Sequence, residues 1–152
     1  MTMTTRAATP FAIERPLPTR LGAVLDYWRS LLRGEAQIPF SDDVDWTRLE
    51  ALCPDVFLLG VFDKPERFRL DMAATPHAPS AAGEIAGRFI DEVELPSPLE
   101  FLRAQADAAV ESMAPTIYQH RPRGGGPAYA RVLLPAWGAG KVNLLIGAVE
   151  FF

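Results

Sequence analysis

The sequence predicts an α+β domain in which five antiparallel strands are joined by a helical crossover and preceded by an amphipathic helix. Three observations carry this. Leu21, Val24, Leu25, Trp28, Leu31 and Leu32 recur at helical spacing and form one apolar stripe. Two pairs of apolar runs are joined by turn residues, at 63–66 and at 138–141. Between those hairpins, Leu99, Leu102, Ala106, Val110 and Met113 continue a second helical face until Pro115 stops it. With 152 residues, 49% of them hydrophobic, the chain is long enough for a single proper core.

Residues 1–18 are rich in Thr, Pro, Ala and Arg without periodicity, and read as a flexible tail, with a short docking strand as the alternative. A single domain is expected over 19–152, opening with a helix at 20–33. Thr19 is its expected N-cap and Gly34 its stop. Asp45 is placed to cap a short helix carrying Trp46, Leu49 and Leu52, which Cys53-Pro54 ends. Val56-Phe-Leu-Leu-Gly-Val-Phe62 is apolar at both alternating sets of positions. Arg67-Phe-Arg-Leu-Asp-Met72 alternates, with Phe68, Leu70 and Met72 on one face.

Pro76, Pro79, Gly83 and Gly87 break the middle into short helical turns. Ser97-Pro98-Leu99-Glu100 has the pattern of a capping box with proline at the first helical position, so the long helix is expected to begin there. A strand at 116–121, a flexible Gly124-Gly-Gly-Pro127 turn and a glycine-turned hairpin close the chain.

A net charge of −4 gives no electrostatic footprint for nucleic acid. The single cysteine, Cys53, rules out an internal disulfide and fits a reducing compartment. No run is long enough to span a membrane, and the N-terminus lacks a signal-peptide core, so a cytoplasmic location is expected.

The run Leu25-Asp-Tyr-Trp28, the loop aspartates and Leu52-Cys-Pro-Asp-Val-Phe-Leu-Leu-Gly-Val61 resemble a bacterial family of short, stand-alone PAS-like proteins. So do Arg67-Phe-Arg-Leu70, Gly87-Arg-Phe-Ile-Asp91 and the closing Leu133-Leu-Pro135 and Leu145-Ile-Gly-Ala148. The resemblance covers residues 21–152 and rests on framework positions. The chain departs from the family at Ala73-Ala-Thr-Pro-His77, where such proteins resemble a Gly-Thr step. It implies a PAS-like sheet, a Tyr-Trp helix ahead of it and no effector domain, so that output passes to an unknown effector protein in trans.

A PAS-like pocket would lie between the sheet and its crossover, with Phe57, Leu59, Phe68, Leu70, Tyr118, Leu133 and Leu144 as candidate lining residues for a small apolar or amphipathic ligand. The alternative is a filled core. Val56, Leu58, Phe62, Leu145, Val149 and Phe151 would make the opposite face apolar too, and something must cover it. The leading helix does so either within its own chain or across a two-fold homodimer, with Leu21, Leu25, Trp28 and Leu32 as contact residues and Trp28 as anchor.

Other chemistry finds little support. Gly138-Ala-Gly-Lys141 is a turn and not a phosphate loop, because Pro135 and Val142 stand where the first glycine and the Ser/Thr belong. Asp42, Asp43 and Asp45 lack calcium-loop spacing. His77 lies on the crossover but in poorly helical context, so haem is not expected, and no Asn-Cys-Arg-Phe motif supports flavin photochemistry. His120 reads as a partly exposed strand residue. No catalytic constellation is visible. The expected function is a sensory or ligand-binding module acting through protein contacts, with a scaffold on a filled core as the alternative.

Overall fold

A computed structural model describes residues 11–74, 86–95 and 97–152. Its described elements are α1 (Thr19–Ser30), α2 (Trp46–Leu52), β1 (Val56–Phe62), β2 (Arg67–Ala73), α3 (Leu102–Ser112), β3 (Thr116–His120), β4 (Tyr129–Gly138) and β5 (Lys141–Phe151). Two 3-10 turns, Ser41–Asp43 and Ile90–Glu92, lie between them. All strand pairs are antiparallel, in the order β2-β1-β5-β4-β3. The fold is α+β.

Sequence pattern explains strand position. β1, β4 and β5 are apolar almost throughout and take the three inner places, where both faces are covered. β2 alternates and sits at an edge, with Phe68 and Leu70 buried and Arg67 and Arg69 outward. Short segments shield both edges. Phe11 accepts the Ile117 amide at 2.8 Å, and Ala12 bridges Thr116 on β3. Beside β2, Arg88 accepts the Leu70 amide, while Arg67 pairs with Asp91 and Glu92 and lies over the Phe89 ring. Phe11 and Ala12 therefore already belong to the fold, where the sequence leads one to expect a tail reaching residue 18; residues 1–10 lie outside the described residues.

Cross-strand partners share a face, so the pairing assigns the two sides of the sheet. One side carries Phe57, Leu59, Leu145, Leu133 and Arg131 and faces α3. The other carries Val56, Leu58, Ile146, Ala148 and Leu134 and faces α1. Two bulges decide this parity. Asp71 is the extra residue between the Leu59–Leu70 and Leu58–Met72 pairs, which moves Met72 off the Phe68–Leu70 face. Asn143 is extra between the Trp137–Val142 and Ala136–Leu144 pairs. Counting back from the turn without that bulge places Leu144 on the same face as Leu133. With the bulge, Leu144 lies opposite, while Leu145, Val149 and Phe151 lie on the α3 side. The expected faces of β5 are thus exchanged.

The β4–β5 turn is two residues, Ala139 and Gly140, with φ of 54° and 82°, the double positive φ of a type I′ turn. Lys141 reaches away from it, donating to the Val61 carbonyl at 3.1 Å and approaching Asp63.

α1 buries Leu21, Val24, Leu25 and Trp28 on its sheet side and Tyr27 toward α2, where the Tyr27 hydroxyl accepts the Asp45 amide; the Trp28 indole donates to the Pro135 carbonyl at 2.8 Å. Thr19 begins the helix and does not cap it. Glu150 of β5 does that work, its Oε1 accepting the amides of Arg20 and Leu21. Glu150→Ala is expected to cost about 1 kcal/mol, as loss of a cap does. Denaturant melts read this directly, and an unchanged midpoint would mean that water replaces the carboxylate. α2 is capped as its sequence implies, Asp45 Oδ1 accepting from the Thr47 amide.

α3 starts at Leu102, after Phe101 in the left-handed region, and not at residues 97–98. The capping-box pattern is overridden because Arg131 takes the carbonyls of Pro98 and Glu100, which a helix begun there would use for its own first turns.

Candidate functional site

The α3 side of the sheet carries a polar set built around Arg131. This arginine is fully buried near the start of β4. Its Nε donates to Gln105 Oε1 at 2.8 Å, and its two terminal nitrogens donate to the carbonyls of Pro98 and Glu100 at 2.8 Å each. Gln105, on the buried face of α3, returns its own amide to Thr116 Oγ1 and to the Arg131 carbonyl, both at 3.1 Å. Thr116 in turn donates to the Leu133 carbonyl. Crossover, helix and two strands thus meet in one satisfied network.

No carboxylate forms an ion pair with Arg131 among the described residues. Glu100 gives Arg131 its backbone carbonyl and keeps its carboxylate for the Tyr129 hydroxyl. Burial pushes the Arg131 guanidinium down to about 10, so it stays charged at neutral pH. Burial raises the Glu100 carboxyl, but hydrogen bonds from Tyr129, the backbone and Ser97 outweigh it and leave the group below its usual range. Tyr129 is held well above the ordinary phenol value, by burial first and then by Glu100.

Aromatic rings continue from this network to the surface. The Arg131 guanidinium lies 4.9 Å from the Tyr118 ring centroid. His120 stacks on Tyr129 at 4.9 Å, and its Nδ1 is 3.2 Å from the Tyr118 hydroxyl. Beyond Tyr118, an open groove of about 480 Å³ runs along β3, lined by Phe11, Ile13, Phe101 and Tyr118, with Glu14 and Arg15 supplying charge.

Of the residues expected to line a pocket, Phe57, Leu59, Phe68, Leu70 and Leu133 are buried together on the α3 side, and Tyr118 is half-buried at the edge groove. Leu144 is on the α1 side. Of the residues expected at a dimer contact, Leu21, Leu25 and Trp28 are buried on α1 against their own sheet, and Leu32 is half-buried beyond the end of α1 at Ser30, short of the expected residue 33. Their burial follows from α1 covering the outer face within the chain.

Sequence reasoning missed Arg131, Gln105, Thr116 and Glu100. Two signals were available: an arginine inside the apolar run Tyr129-Ala-Arg-Val-Leu-Leu134, and a glutamine amid Leu102, Ala106 and Ala109.

The other candidates have structural roles. Asp43 pairs with Arg33 at 2.8 Å, and Asp45 caps α2. Cys53 is buried, its thiol pushed up by burial and directed at the Val149 carbonyl. His77 lies outside the described residues. Among the described residues, no group of three or more His, Cys, Asp or Glu side chains is placed to hold a metal, and no helix is long and apolar enough to cross a membrane.

One carboxyl, that of Glu66, titrates unusually. Glu66, in the β1–β2 turn, hydrogen-bonds Asp107 of α3, and this contact, with burial and the charge of Asp107, raises its carboxyl to about 7. The protonated form holds the bond, so its stabilisation is complete below the ordinary value near 4.5 and is lost as pH rises through about 7. Glu66 is only partly buried, and solvent screening limits the effect to about 1 kcal/mol or less. Melting temperature should fall between pH 5 and pH 8 by a few degrees, on the order expected for that free energy. Glu66→Gln, which keeps a donor at every pH, should flatten the profile; parallel profiles for both proteins would dismiss the pair as its source.

The chain matches no protein-family model, no curated protein and no solved structure.

Proposed function

We propose that this chain is a PAS-like sensory or ligand-binding module that passes its signal to a separate protein through surface contacts. What supports the reading is the order of elements: a hairpin, a helical crossover on one face, then three strands that close against the first hairpin. The observation that carries it is the Arg131 network. A ligand that moves the crossover at Pro98 and Glu100 must act on Arg131, and Arg131 is part of the central sheet. A sensor needs an element with two arrangements, and this network is the path by which a change in the crossover would reach the sheet. The setting proposed is the reducing cytoplasm, with an effector protein in trans and a second copy as partners.

The test is mass spectrometry on unsupplemented, purified protein after denaturation, where a released small molecule is expected. Protein that releases nothing and shows no thermal shift with a broad metabolite panel would sink the ligand reading. The second reading, a scaffold with a filled core, is favoured by one observation: the Phe57 ring occupies the space over Gly147, where even a Cβ would come within 2.2 Å of it. An empty protein that still captures a partner would select it.

A further inference from the structure

We propose that the groove along β3 is a binding site for an aromatic amino acid, held by the rings of Phe11, Phe101 and Tyr118 and by the opposite charges of Glu14 and Arg15. The proposal rests on the ligand-binding reading and names both the ligand class and the place.

The groove, at about 480 Å³, has the volume of a small-molecule site. Three aromatic side chains converge on it. Phe11 and Phe101 flank Tyr118, with ring centroids 6.5 and 5.8 Å from it and tilts near 50°. Phe101 is 67% exposed although it is large and apolar. Its backbone is also in the left-handed region, at φ 59° and ψ 21°, which is an outlier for a bulky side chain. The fold therefore holds a phenyl ring in water at some backbone cost, where a planar apolar ligand would cover it.

Tyr118 defines the electronic preference. Arg131 is fully buried and does not line the groove, whereas the half-buried Tyr118 both lines the groove and lies against the Arg131 guanidinium. The ring thus separates a fixed cation from the groove. A cation near the ring draws on its π density, and this favours an electron-rich partner such as indole or phenol. The charges complete the chemistry. Glu14 and Arg15 are adjacent, exposed and without an ion-pair partner among the described residues, and both line the groove. A carboxylate suits Arg15 and an ammonium suits Glu14, so the complementary ligand carries both ions on one small head. An aromatic amino acid has that head and that body.

The experiment titrates full-length protein with L-tryptophan, tryptamine, indole-3-acetate and indole, following backbone amides by NMR. Saturable shifts at Ile117, Tyr118 and Gln119 are expected with L-tryptophan, and binding about tenfold weaker for tryptamine and for indole-3-acetate, each lacking one charge contact. Phe101→Ala keeps the backbone in place, removes the exposed ring and should weaken L-tryptophan about tenfold with little change in melting temperature. Three results would each overturn the proposal. They are no saturable shift at about 5 mM L-tryptophan, shifts that leave β3 untouched, and equal affinity for wild type and Phe101→Ala. If denatured protein meanwhile releases a small molecule of another class, the ligand-binding reading stands and the assignment to this groove falls.

Discussion

Arg131→Met is expected to destabilise the protein by about 2–4 kcal/mol, although it replaces a buried charge by an apolar side chain of similar length. Two effects oppose each other. Removing the cation recovers its desolvation cost, and on that ground alone methionine would be favoured. That cost is real, since burial lowers the guanidinium to about 10, but the cation stays charged at neutral pH with its acceptors well placed. Against it stand three acceptors, Gln105 Oε1 and the carbonyls of Pro98 and Glu100, which lose their donors inside the protein. Each such loss costs about 1–3 kcal/mol, so the orphaned groups win. Arg131→Lys should recover only part of the loss, because one ammonium cannot match three divergent acceptors. Urea unfolding of the three proteins decides it. A methionine variant as stable as wild type would mean that the crossover rearranges or admits water, and the network would then hold less of the fold than its geometry implies.

Gly147→Ala is the second large effect, about 2–3 kcal/mol of destabilisation from a single methyl group. The reason is position and not backbone freedom. A Cβ on Gly147 would fall 2.2 Å from the Phe57 ring, with two further ring atoms inside 3 Å. Phe57 is buried and pairs directly with Gly147 across β1 and β5, so neither ring nor strand has room to retreat. Phe57→Leu alone should also cost stability by leaving space over the glycine. Together the two changes should cost less than their sum by about 1–3 kcal/mol, since each relieves the other. Strict additivity in a double-mutant cycle would show that the ring does not sit over this glycine.

The parts of this fold written in local pattern were readable. α1 follows from its apolar stripe, the α2 cap from Asp45, and the two hairpins from their turns. What escaped depends on partners distant in sequence. The bulges at Asp71 and Asn143 are properties of a strand pair, and β5 is so uniformly apolar that it gives no alternation from which to read a face. The start of α3 was misplaced because a favourable Ser-Pro-Leu-Glu signature loses to an arginine on another strand. The same arginine explains why polar convergence under the crossover went unseen. Its three acceptors come from residues 98–105, and nothing local to residue 131 names them.

Glu150 and α1 carry a consequence for the order in which the molecule is built. The carboxylate and the helix end that it caps are 130 residues apart in the chain. The centre of the sheet has the same character, since β1 takes its second neighbour from β5, the last strand among the described residues. During synthesis, α1 and the first hairpin wait for their main supports until β5 has emerged. Local helix and hairpin contacts give them only marginal stability in the meantime. Assembly is therefore late and concerted, with slow closure of long loops ahead of most of the gain. An apolar β1 must stay unpaired on its β5 side throughout that interval, which leaves an aggregation-prone edge on the growing chain.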